Sequence, residues 1–168
     1  MSDNPNHFQL FNLTVTFDID SLTLAQHYRE LQRMIHPDNY INAGSGERLL
    51  ALQKTAQIND AYHTLKDPIQ RGRYLLNLQG YSPSTEFHKD PVFLMEQIEL
   101  REELMQIQQL TALNEFLTRL EQRMRQLIQQ LSHQLAAQQF PTADITLQQL
   151  QFFKRLQEEA LTLEETLT

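Results

Sequence analysis

The sequence predicts an all-α protein, and three observations carry that expectation. Only 4 glycines and 6 prolines punctuate the 168 residues, too few for an architecture of strands and tight turns. Leu, Gln, Glu and Arg are good helix formers, and the chain carries 22 glutamines. Apolar residues recur at spacings of three and four, the period of one helix face.

The length allows one full domain or two small ones. All four glycines, at positions 44, 46, 72 and 80, precede Tyr81. Around that change in texture, Gly80-Tyr81-Ser82-Pro83-Ser84-Thr85-Glu86-Phe87-His88-Lys89-Asp90-Pro91 is dense in breakers and polar residues. It reads as a linker over 80–91, separating a first domain, 1–79, from a second, 92–168.

In the first domain, Phe8 to Phe11 forms a short entry segment, and Asp20 or Ser21 caps a helix running to about Ile35. Leu24, Tyr28, Leu31 and Ile35 give that helix one apolar face. Pro37 ends it, because the residue before a proline is pushed to extended backbone. After a loop over Asn39 to Glu47, a third helix to Leu65 carries Leu49, Leu52, Ala56, Ile58, Ala61, Tyr62 and Leu65. Asp67-Pro68 stops it and opens a fourth, to about Gln79, with Pro68 in the first turn.

The second domain reads as an antiparallel three-helix bundle. Asp90 caps and Pro91 opens its first helix, to about Gln109. The next, from about Leu113 to Gln139, places Leu113, Leu117, Leu120, Met124, Leu127 and Leu131 in alternation of four and three, the seam spacing of a bundle. Pro141 is expected to break it and Asp144 to cap the last helix, whose stripe is Phe153, Leu156, Ala160, Leu163 and Leu167.

Charge and composition remove whole classes of function. A net charge of -7 gives no global basic field for nucleic acid or an anionic membrane, so any basic surface is local. Zero cysteines exclude a disulfide framework, a thiolate zinc site and cysteine ligation of an iron-sulfur cluster by this chain. No apolar run approaches the roughly 20 residues of a membrane span. Met1 to Leu10 has an acid at Asp3 and neither Arg nor Lys, unlike a targeting segment, and the expected compartment is the cytoplasm. The histidines at 7, 27, 63, 88 and 133 show no metal-ligand spacing, and no glycine-rich phosphate loop exists. No cofactor is expected.

The sharpest motif is His36-Pro37-Asp38, between one amphipathic helix and the loop before the next. Pro37 fixes one backbone angle and forces the chain out of the helix, so His36 and Asp38 can stand at a rigid, exposed corner. Arg29 and Arg33, four apart on the preceding helix, form a local positive patch. A helix stop explains the tripeptide alone, and a solvated face explains the arginines alone. No nucleophile or oxyanion motif accompanies the pair, so the chain does not read as an enzyme.

With Tyr28-Arg29-Glu30-Leu31-Gln32-Arg33-Met34-Ile35 upstream and Ala56-Gln57-Ile58-Asn59-Asp60-Ala61-Tyr62 downstream, residues 8 to 79 resemble the J domain of DnaJ-type co-chaperones. The resemblance implies that Arg29, Arg33, His36, Pro37 and Asp38 dock on the ATPase domain of an HscA/DnaK-type chaperone. There the aspartate would engage a partner arginine and accelerate ATP hydrolysis. Two arginines are fewer basic residues than many J domains carry on this face.

The second motif is Phe93-Leu94-Met95-Glu96-Gln97-Ile98-Glu99-Leu100-Arg101-Glu102-Glu103-Leu104. At about 100° per residue, Phe93, Leu100, Leu104 and Ile107 gather within roughly 60°, while Leu94, Ile98 and Met105 form a second stripe about a third of a turn away. The first can pack into a bundle. The second, with Met95 beside it and Glu99 and Glu102 at its border, is a candidate docking surface, although one wide buried face explains the same spacing.

This run after a J domain, followed by a glutamine- and leucine-rich tail, resembles the HscB family of J-type co-chaperones in iron-sulfur cluster biogenesis, over nearly the whole chain. The resemblance implies a bundle that holds an IscU-type scaffold protein through Leu94, Met95, Ile98, Glu99, Glu102 and, from the last helix, Phe152, whose role Phe153 could exchange. Some relatives carry an N-terminal cysteine zinc module, which this chain cannot form. A generic J-domain co-chaperone with another client, and a helical adaptor, are the competing readings.

Overall fold

The computed structural model describes residues 4–84 and 90–168, and every regular element in them is helical. The helices are α1 (His7–Leu10), α2 (Ser21–Met34), α3 (Ser45–Lys66), α4 (Pro68–Leu78), α5 (Pro91–Gln106), α6 (Leu110–Ala136) and α7 (Phe140–Leu167), with a 3-10 turn over Pro37–Tyr40. They divide into two units, Met1–Gln79 and Gly80–Thr168. Of the expected linker, residues 85–89 lie outside the described residues. None of the helices described is long and apolar enough to cross a membrane.

The first unit is built on the hairpin of α2 and α3. Helix α2 starts where the Asp20 carboxylate accepts from the Leu22 N–H at 3.0 Å and the Thr23 hydroxyl at 2.9 Å. These bonds, first that from Thr23, hold the carboxyl below its ordinary pKa. Leu24 faces a core of Ile58, Ala61, Leu65, Ile69 and Leu76, closed by Phe8, Phe11 and Phe17. Tyr28 and Tyr62 stack across the hairpin, ring centroids 3.9 Å apart, and the Tyr28 hydroxyl donates to Asn59 at 2.7 Å.

Arg71 is the buried cation of this unit. Its guanidinium donates to the carbonyls of Phe17 and Leu65, each at 2.7 Å, and lies 4.7 Å from the Phe17 ring centre. Burial lowers its pKa, and the carboxylates of Asp18 and Asp67 oppose that shift. Arg71→Met would leave both carbonyls without this donor, so a loss of about 3 kcal/mol is expected. Urea unfolding followed by tyrosine fluorescence measures it, since Tyr28, Tyr40, Tyr62 and Tyr74 all lie in this unit. An unchanged midpoint would show that the clasp contributes nothing net.

The apolar face expected for α3 is only partly buried. Ala51, Ile58, Ala61 and Leu65 are in the core, whereas Leu49, Leu52 and Ala56, carried by the same helix, stand on its opposite side at about 100° per residue and are exposed.

In the second unit α6 and α7 form the central hairpin. Leu113, Leu120, Leu127 and Leu131 of the predicted seam are buried with Phe116, and Leu117 and Met124 are half-buried. They meet Leu147, Leu150, Phe153, Leu156 and Ala160 of α7. The chain turns at Ala137 to Gln139, where Gln138 takes a φ of 58°. That left-handed position is one glycine usually fills.

Pro141 therefore does not break α6. It sits in the first turn of α7, where a missing N–H costs nothing. Nor does Asp144 cap α7. It lies inside the helix, buried, and its carboxylate accepts from the Ser84 N–H at 3.0 Å and the Tyr81 hydroxyl at 3.4 Å. The acid fastens the chain entering this unit to the start of α7.

Candidate functional site

Two surfaces, one on each unit, carry the residues singled out from sequence. The first is the corner after α2. His36 is extended, with φ -55° and ψ 137°, and Pro37 opens the 3-10 turn. His36 Nδ1 lies 3.2 Å from the Asp38 N–H nitrogen and 3.3 Å from the Asp38 carboxylate. One ring nitrogen cannot serve both: neutral, it accepts from the amide; protonated, it pairs with the carboxylate. Both side chains are largely exposed, at 58% for His36 and 79% for Asp38. Their loss removes no core packing.

The corner is tied down from both sides. Asn39 Nδ2 donates to the carbonyls of Arg33 at 3.0 Å and Met34 at 3.2 Å, meeting the open end of α2. Its backbone N–H donates to the His36 carbonyl at 2.9 Å. Arg29 and Arg33 are exposed on α2, four residues apart along the helix that ends at this corner. The structure thus sets a carboxylate, an imidazole and two guanidinium groups along one helix end and the turn after it.

The second surface belongs to α5, which has no buried residue. Phe93, Leu100, Leu104 and Ile107 are half-buried, whereas Leu94, Met95 and Ile98 are 55%, 54% and 44% exposed. Glu99 and Glu102 are exposed as well. The ridge is apolar with acidic groups on the same helix, a chemistry suited to a partner offering apolar and basic side chains.

Ion pairs lace α5 to its neighbours. Glu96 meets Arg123 of α6 at 3.1 Å, Arg101 meets Glu159 of α7 at 3.1 Å, and Glu103 pairs with Arg119 of α6. The bond from Glu103 raises the Arg119 pKa. At the start of α5, Phe93 meets Phe152 edge-on with centroids 5.7 Å apart. The guanidinium groups of Arg101 and Arg123 lie 5.5 and 5.6 Å from the rings of Phe152 and Phe153.

Phe153 is buried in the core and Phe152 is half-buried at its edge. The two aromatics therefore have distinct places. The arginine and phenylalanine layer was not foreseen from sequence; the i, i+4 positions of Arg119 and Arg123 were its only local trace. Among the described residues no group of histidine and carboxylate side chains could hold a metal ion.

Comparison with known proteins gives concordant matches. The family model described as the HSCB C-terminal oligomerisation domain matches residues 89–161. The chain is 42% identical over 168 residues to the co-chaperone protein HscB homolog of Vibrio cholerae, covering 96% of this chain and 98% of that protein. Among solved structures, chaperone HscB from Vibrio cholerae superposes with a TM-score of 0.89 at 41% identity, covering 98% of this chain and 100% of that one. Human co-chaperone protein HscB superposes with a TM-score of 0.92 at 26% identity, covering 98% of this chain and 84% of that one.

Proposed function

The chain belongs to the HscB co-chaperone family, and from that premise we propose that it couples a bound client protein to ATP hydrolysis by another protein. The partner at the corner is an HscA/DnaK-type chaperone, met by Arg29, Arg33, His36, Pro37 and Asp38. The client is an IscU-type iron-sulfur scaffold, met by Leu94, Met95, Ile98, Glu99 and Glu102, with Phe152 at the rim. The chain itself contributes no cofactor and no catalytic group, and works in the cytoplasm without touching nucleic acid or membrane. The observation that carries the reading is an exposed His-Pro-Asp corner in a chain that also presents an apolar and acidic ridge.

A short, proline-fixed turn presents its carboxylate with little conformational freedom left to lose on docking. The arginines steer encounter with an acidic surface, against the negative charge of the whole. On the other unit, burial of the ridge supplies non-directional attraction and the two glutamates set register.

Single-turnover ATP hydrolysis by the chaperone, with and without this protein and the scaffold, tests the proposal. Acceleration by this protein, raised further by the scaffold, is expected. Acceleration without scaffold capture in a pulldown would make it a co-chaperone for another client, and no acceleration would leave a helical adaptor.

Arg29→Ala with Arg33→Ala should weaken chaperone binding by roughly three- to tenfold, because exposed charge pairs are individually modest. Binding of the unmutated protein should weaken with added salt, since screening acts over about 8 Å at physiological ionic strength. Titration calorimetry at two salt concentrations measures both. A salt-independent affinity would remove the basic face from the interface.

A further inference from the structure

From the contacts around the His-Pro-Asp turn, we infer that Arg48 is a positioning residue that clasps the corner in its docking geometry; the inference rests on the reading of that corner as the chaperone-binding site. Packing against α3 holds the turn only in part. An apolar hollow of about 350 Å³ lies there, with Ile35, Pro37, Tyr40 and Ile41 on the turn side and Ala51 and Leu52 on α3. Where the turn borders this open hollow it lacks some of the dispersion contacts that fix a well-packed segment.

Hydrogen bonds supply further restraint. Arg48, in the first turns of α3, reaches back across the hollow, where its Nη2 donates to the Ile41 carbonyl at 2.6 Å and its Nε to the Tyr40 carbonyl at 3.3 Å. The Tyr40 carbonyl also accepts from the Ala43 N–H at 3.0 Å. On the opposite side Asn39 binds the end of α2. Asn39 therefore ties the turn to the helix before it, and Arg48 to the helix after it.

The position of Arg48 is locally unfavourable. A cation near a helix N-terminus opposes the macrodipole, and Gly44 gives α3 no side-chain cap to compensate. The two charge-assisted bonds to the turn offset that cost. Arg48 thereby acts on the partner through the corner rather than by contact with it.

The test uses the full chain carrying Arg48→Ala or Arg48→Lys, with two readouts. Amide hydrogen exchange in the free protein should quicken at Asn39 and Ala43 by about tenfold in Arg48→Ala, as expected for losing charge-assisted bonds, with the α3 interior unchanged. In stimulated ATP hydrolysis, Arg48→Ala should raise the concentration for half-maximal stimulation about five- to tenfold and keep the maximal rate, because a looser corner lowers only the competent fraction. Lysine, with one ammonium for two carbonyls, should fall between.

Unchanged half-saturation in Arg48→Ala overturns the inference. So does raised half-saturation with unchanged exchange, which would mean that Arg48 touches the partner. If the unmutated protein gives no stimulation, the functional reading fails and the positioning role with it. The exchange result then still decides whether Arg48 holds the turn.

Discussion

Asp38→Asn is expected to remove the stimulated ATP hydrolysis of the partner chaperone while the chain keeps its helicity, its melting temperature and its scaffold binding. The substitution preserves shape and deletes charge. Asp38 is 79% exposed and among the described residues pairs with the neighbouring His36, so the fold should change by less than about 0.5 kcal/mol. At an interface the same change removes one member of a charge-assisted pair and leaves a partner cation uncompensated, commonly about 2 to 5 kcal/mol. A fall in stimulation of at least about thirtyfold at fixed concentration follows from the lower bound. Circular dichroism and single-turnover hydrolysis on the same preparation measure the two sides. Stimulation by Asp38→Asn equal to that of the unmutated protein would sink the corner as the coupling element.

The result separates presentation from chemistry when set beside the Arg48 variants. Asp38→Asn should depress the maximal rate if, as proposed, that carboxylate is the group that meets the partner. Arg48→Ala should shift half-saturation, because it removes a restraint on that group.

Helix starts that rest on local chemistry were legible in the sequence. Asp20 caps α2, Pro68 sits in the first turn of α4, and Asp90 with Pro91 opens α5. Each is a contact within three residues, so no tertiary information is needed. The four-and-three spacing in α6 was legible because that helix packs along one continuous seam. The stripes of α5 were legible too, for the angular division at about 100° per residue coincides with the division into half-buried and exposed residues.

What was not legible depends on partners remote in sequence. Asp144 resembles an N-cap, but its partners Tyr81 and Ser84 lie 63 and 60 residues away, and the true turn is marked by Gln138 rather than by a glycine. Arg71 reads as an ordinary helix arginine until Phe17, 54 residues earlier, brings it a carbonyl. Phe152 and Phe153 are adjacent aromatics, and only the packing of α5 against α7 places one in the core and the other beneath Arg101.

Replacing Leu94, Met95 and Ile98 together by alanine is expected to abolish scaffold binding and leave the bundle standing. All three are about half exposed, alanine is a good helix former, and the ion pairs that fasten α5 through Glu96, Arg101 and Glu103 are untouched. The melting temperature should therefore move by no more than about 4 to 8 °C, the shift of a 1 kcal/mol change in a domain of this size. Apolar anchors at an interface centre commonly cost about 2 kcal/mol each when truncated, so affinity should fall at least a hundredfold even with strong non-additivity. Leu100→Ala with Leu104→Ala is the control on the same helix. Those side chains are more deeply buried than the ridge residues, and roughly half of the 2 to 5 kcal/mol of a fully buried leucine is expected from each. Stability and binding thus respond in opposite patterns: the ridge variant loses the scaffold at nearly constant stability, and the inner variant loses stability first. A ridge variant that unfolds as early as the inner one, or that binds the scaffold as the unmutated chain does, would take the docking role away from α5.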